Sequence, residues 1–125
     1  MSFSERRKYP RIAENVSCQV SVGSEKFQTL TKNLSCGGAL CSLSEEIAPM
    51  TQLEVVLDLP AVRGSATPTR QQVHCLGVVV RQDRLPLEER AYLTAIYFSE
   101  LKAEDRRRIG EFVLQSMFSH DRRRS

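Results

Sequence analysis

Apolar side chains fall on every second position in three separate stretches of this chain, and that period fits only an extended backbone. Val16, Cys18, Val20 and Val22 form one such series, and Leu53, Val55, Leu57 and Leu59 a second. In the third, Tyr92, Thr94, Ile96 and Phe98 oppose Leu93, Ala95 and Tyr97. Successive side chains of a strand point to opposite faces, so each series describes a strand with one face in a core. Between and around them lie further strand segments: Phe27 to Lys32, joined to the first by a Gly23-Ser24 turn as a hairpin, then Ala39 to Leu43, and Val73 to Gln82 with an interior Gly77 that marks a bulge or bend. Gln52 to Leu59 is ended by Pro60, and the sixth strand runs from Ala91 to Phe98. Residues 44–51, 60–70 and 83–90 carry the Pro and Gly residues of connections.

From Ala103 the period changes to that of a helix. Ile109, Phe112, Val113 and Met117 share one face, and Glu104 and Asp105 in the first turn suit the helix dipole. Gly110 costs this helix about 1 kcal/mol relative to Ala, and the helix is expected to fray near His120. Six short antiparallel strands followed by one amphipathic helix predict a mainly β fold: a six-stranded antiparallel β-barrel, closed or nearly so, whose open end or seam the helix covers. With 125 residues there is one core. The expected division is a basic N-terminal arm over 1–12, mobile and extended because Pro10 turns Tyr9 from helix, a barrel with its helix over 13–119, and a basic tail over 120–125.

The formal charge of +3 is small, but it is concentrated: Arg6, Arg7, Lys8 and Arg11 open the chain, and Arg106, Arg107, Arg108, Arg122, Arg123 and Arg124 stand near its end. There is no Trp, so any base-stacking platform must use the 5 Phe, the 3 Tyr or Arg, and the scarcity of aromatics in the strands argues against a nucleic-acid binder. No apolar run approaches the roughly 20 residues of a membrane span, and no apolar segment follows the basic N-terminus as in a signal peptide. The 4 cysteines (Cys18, Cys36, Cys41 and Cys75) lack C-x-x-C spacing and read as reduced, buried side chains of a cytoplasmic protein. A metal site from Cys36, Cys41, His74 and Cys75 lacks tightly paired ligands, so none is expected. No nucleophile–base arrangement, P-loop or carboxylate pair at a strand end marks an enzyme.

Function is better sought at Asn33-Leu34-Ser35-Cys36-Gly37-Gly38, where one strand turns into the next. Its two glycines read as a tight bend that exposes backbone N–H groups beside an amide and a hydroxyl. Together with the upstream guanidinium arm, this corner suits an anionic ligand rich in hydrogen-bonding groups. Guanidinium groups fork onto phosphate oxygens or a guanine edge and also stack on bases, which Lys does not.

These residues resemble a known family. Arg7-Lys8-Tyr9-Pro10-Arg11 resembles the R-x-x-x-R motif of PilZ domains, and Asn33 to Gly38 resembles their [D/N]-x-S-x-x-G motif. Gly77 to Arg81 is similar to a later strand of that family, and Ile96-Tyr97-Phe98 to its closing strand. The resemblance departs at Ala95, where many members have Gly, and at Lys102-Ala103, where many begin the helix with Ser/Thr-Pro. It implies a cyclic di-GMP receptor, with Arg7 and Arg11 holding phosphates and guanines and with Asn33, Ser35, Gly37 and Gly38 as the receiving ledge. Arg6, in front of the first motif, implies an intercalated ligand dimer, two ligands per protein. Lacking a second domain of the flagellar-brake type in this sequence, the module is expected to signal through an unidentified protein effector. Two alternatives stay open: an adaptor on the same barrel that needs no nucleotide, and a small nucleic-acid binder using the basic ends.

Overall fold

A computed structural model describes residues 10–61, 70–87 and 90–124, with the side chains of the final helix as far as Phe118. Six strands precede one helix: β1 (Ser17–Val22), β2 (Glu25–Leu34), β3 (Gly38–Leu43), β4 (Gln52–Leu59), β5 (Gln71–Arg84), β6 (Tyr92–Glu100) and α1 (Ala103–Arg124). All neighbours are antiparallel, and the order β1-β2-β3-β6-β5-β4 closes on itself through β4 and β1. The expected six-stranded barrel with a C-terminal helix is therefore the fold, and it is fully closed. Closure leaves no exposed strand edge. It also leaves no seam for the helix to cover.

The alternation read from the sequence places the core. Val20, Val55, Leu57, Val73 and Val79 point inward and are almost wholly buried, while their chain neighbours face out. The helix adds Ile109, Phe112 and Val113 to that cluster, whereas Met117, assigned to the same stripe, is 40% exposed. The β1–β2 hairpin turns through Gly23-Ser24 with Gly23 at φ 59°, a left-handed conformation that Gly adopts without steric cost. Strand ends depart from the expectations: β2 extends past Lys32 to Leu34, β5 gains residues at both ends, and α1 continues past His120 to Arg124. Ile12, the last residue of the expected arm, is buried and bridged to Leu34. Loop 62–69 lies outside the described residues.

Two polar residues, one buried and one half-buried, fasten the parts that alternation does not explain. Thr31 is fully buried; its hydroxyl donates to the Glu14 carbonyl (2.7 Å) and accepts from the Val16 N–H (2.9 Å), fixing the lead-in to β1. Gln82 ties the β3–β4 connection to the barrel by accepting from the Ile47 N–H at 2.6 Å and donating to the Glu45 carbonyl at 3.1 Å and the Thr94 hydroxyl at 2.9 Å. Cys18, Cys41 and Cys75 are free and buried. His74 and Cys75 are consecutive on β5, one exposed and one buried, so their side chains diverge. Among the described residues no helix is long and apolar enough to cross a membrane.

Two outcomes follow from these contacts. Thr31→Val keeps the shape and deletes both hydrogen bonds, so it should lower stability by about 1–3 kcal/mol, read as a reduced urea midpoint at unchanged m-value. Burial pushes the Cys41 and Cys75 thiols up to about 12 from an ordinary 9.0, and it also raises Cys18. Below pH 9 folded and unfolded chains both hold these protons. Above it only the unfolded chain releases them, so stability should fall as the pH climbs from about 9 toward 12. Urea midpoints at pH 8 and pH 10.5 check this, and Cys41→Ala should flatten the slope.

Candidate functional site

Arg11, the last residue of the first motif, lies next to the point where β2 ends. Ile12 and Leu34 form an antiparallel bridge with both backbone bonds made, Ile12 N–H to Leu34 at 3.0 Å and Leu34 N–H to Ile12 at 2.9 Å. Leu34 points into the core and Ile12 is buried with it. The chain carrying Arg11 is thus pinned beside the segment that carries Asn33 and Ser35. Arg11 itself is exposed. Arg6 and Arg7 lie outside the described residues, as does Tyr9.

Asn33 belongs to β2 and not to the turn. A register shift between Thr31 and Asn33 sets Asn33 opposite Leu40 on the outer face, half-buried, while Leu34 pairs with Ala39 inward. The bulge therefore aims the amide outward at the strand end, a known use of the extra residue. Ser35 then opens the turn. Its N–H donates to the Gly38 carbonyl at 3.0 Å, and its Oγ accepts from the Gly37 N–H at 3.1 Å. Ser35 is buried, so its hydroxyl serves the turn first; a hydroxyl that accepts one such bond still has its own proton to donate.

The glycines act differently from the expectation. Neither Gly37 nor Gly38 has a positive φ, so the bend does not depend on left-handed backbone. Gly38 is instead required by contact with β6. A Cβ there would collide with the Ile96 carbonyl oxygen and sit 3.2 Å from the Ile96 carbonyl carbon. The Phe98 N–H donates to the Gly37 carbonyl at 3.0 Å and closes the same junction. What was read as an open approach for ligand is first a close approach between two strands.

Two participants escaped the sequence reading. Cys36, inside the turn, donates weakly to the Arg106 carbonyl of α1 at 3.4 Å, and a Cβ on Gly110 would lie 3.5 Å from its sulfur. The helix glycine thus faces the motif turn. Burial raises the Cys36 thiol pKa, with the Arg106 charge acting against it. Tyr97, read only as a strand position, stands outside the barrel as the register partner of Gly38 and is 57% exposed. Alternation along β6 signals that outward orientation; nothing in the sequence signals its neighbour. Arg108, by contrast, is absorbed by Glu104 (2.7 Å) and Asp105 (2.8 Å) in the first helical turns. Among the described residues no group of His, Cys, Asp and Glu could hold a metal ion.

The family model for the PilZ domain matches residues 5–115. Among curated proteins nothing matches the chain. Several solved structures share its fold. The Bacillus subtilis inhibitor of motility MotI/DgrA superposes with a TM-score of 0.76 at 24% identity, over 91% of this chain and 52% of that one. The K. pneumonia MrkH–c-di-GMP complex gives 0.70 at 22%, over 94% and 55%. The PilZ domain of YcgR from Escherichia coli, with c-di-GMP, gives 0.64 at 16%, over 95% and 96%. This chain thus spans about half the length of MotI and MrkH and nearly all of the isolated YcgR domain.

The two glycines that touch the turn should respond oppositely to alanine. Gly38→Ala forces β3 from β6 and should destabilise the protein by about 1–3 kcal/mol. Gly110→Ala adds only an ordinary contact with Cys36 and relieves a helix-interior glycine, so it should stabilise by up to about 1 kcal/mol. Thermal or urea unfolding of the two variants gives both signs.

Proposed function

The chain belongs to the PilZ domain family, and on that footing we propose that it is a cyclic di-GMP receptor, a binding module without catalytic chemistry. One observation supports this reading: the Ile12–Leu34 bridge brings Arg11, next to Ile12, close to the segment that carries Asn33 and Ser35. YcgR and MrkH, which share the fold, are seen in complex with c-di-GMP.

The ligand presents two phosphates and two guanines. Three residues separate Arg11 from Arg7, so the two α-carbons are at most about 14 Å apart. In this reading Arg7 and Arg11 fork onto phosphates and guanine edges, with Arg6 adding a contact that favours two stacked ligands. Asn33 pairs with a base edge through donor and acceptor on one amide. Ser35 offers its hydroxyl proton, and the Gly37-Gly38 backbone lets the ribose-phosphate edge approach. Binding fixes the Arg6–Arg11 segment over the ledge. The output runs through a partner protein, and the site of action is the cytoplasm.

Calorimetric titration of cyclic di-GMP, with GMP and a short oligonucleotide as controls, tests the proposal. The wild type should bind the cyclic dinucleotide selectively with two ligands per chain. Arg7→Ala, Arg11→Ala and Asn33→Ala should each lose about tenfold to hundredfold in affinity, the loss expected of one charge-assisted contact. Backbone amide exchange in residues 5–11 should slow at saturating ligand. A wild type that ignores cyclic di-GMP removes the proposal in favour of a nucleotide-independent adaptor. Salt-sensitive oligonucleotide binding removes it in favour of a nucleic-acid binder.

A further inference from the structure

Resting on the cyclic di-GMP reading, we infer that Tyr97 is the base-stacking residue of the ledge, the side chain that prefers a purine cyclic dinucleotide to other dianions. The register of the outer face places it. Gly38 pairs with Tyr97, which pairs on its other side with Val78. One step along the strands, Asn33 pairs with Leu40, Leu40 with Ala95 and Ala95 with Arg81. Asn33 and Tyr97 are therefore separated by two strand spacings and one pleat repeat, roughly 12 Å between α-carbons by standard sheet geometry.

The surroundings leave this ring open. Gly38 has no side chain, and an added Cβ there would come within 3.4 Å of the Tyr97 α-carbon, so the two residues are in direct backbone contact. Its direct partner on β3 therefore sets no side chain beside the ring. Val78, Leu40 and Ala95 around it are aliphatic, and Arg81 is held by Asp83 at 3.2 Å. Tyr97 is the one exposed aromatic among the described strand residues, and the chain has no Trp. An aromatic face beside a side-chain-free position gives a flat apolar shelf of base size, next to polar groups that read base edges. Every purine has a π-face, so the shelf contributes affinity for purines in general; Asn33 and the guanidinium groups select the edge pattern.

The test compares Tyr97→Ala, Tyr97→Phe and Tyr97→Leu with Asn33→Ala by calorimetry and by hypochromism of the guanine absorbance band on binding. Tyr97→Ala and Tyr97→Leu should bind cyclic di-GMP about tenfold to hundredfold more weakly and lose the hypochromism. Tyr97→Phe should keep both, and Asn33→Ala should lose affinity while the residual complex keeps its hypochromism. Because Tyr97 faces out, the urea midpoints of these variants should match the wild type. A wild type that does not bind overturns this inference together with the reading it rests on. Binding with unchanged affinity and hypochromism in Tyr97→Ala overturns this inference alone, and so does full rescue by Leu, which would reduce Tyr97 to packing.

Discussion

The contact of β3 with β6 at Gly38 is the constraint the rest of the molecule depends on. Strand order jumps there from β3 to β6, so the barrel closes only if two segments far apart in sequence come together. Their backbones meet so closely that a single methyl group would strike the Ile96 carbonyl. The Gly37 carbonyl and the Phe98 N–H complete the junction. The motif turn is thus part of the barrel's closure, and the same atoms that hold the fold shape the ledge.

Much of the barrel was legible because burial enforces alternation. The Leu53-Val55-Leu57-Leu59 series required one face inward, and β4 has the bounds read from it. Strand ends were less legible. Asn33 and Leu34 extend β2 through a bulge, and bulges leave no mark in a period-2 pattern until the partner strand is known. Thr31 and Gln82 are polar residues that alternation treats as neutral. Their partners lie 17 and 37 positions away, at Glu14 and Glu45, and only the closed barrel brings them together.

The candidate site shows the same division. Asn33, Ser35 and Gly38 stood out because amide, hydroxyl and glycine at that spacing are a local pattern. The demand on Gly38 was visible as a glycine but not as a neighbour, since Ile96 is brought there by topology. Cys36 against Gly110 was invisible for that reason too; the helix glycine looked like a mere propensity loss until the sulfur was placed opposite it. Tyr97 looked like an ordinary β-former because its value lies in what it is beside. Local chemistry can be read from a string of residues, whereas adjacency across a closed sheet cannot.

The Ile12–Leu34 bridge has a kinetic meaning as well as a geometric one. Two backbone bonds and a buried isoleucine make a fixed post next to Arg11, and chain length alone keeps the α-carbon of residue 7 within about 18 Å of it. Short tethers of that kind hold their cargo at an effective concentration on the order of millimolar. In the receptor proposed above, a ligand that first lands on the barrel wall beside Leu34 would therefore meet a second grip without a diffusional search. Release would then require that grip to let go first, which lengthens residence.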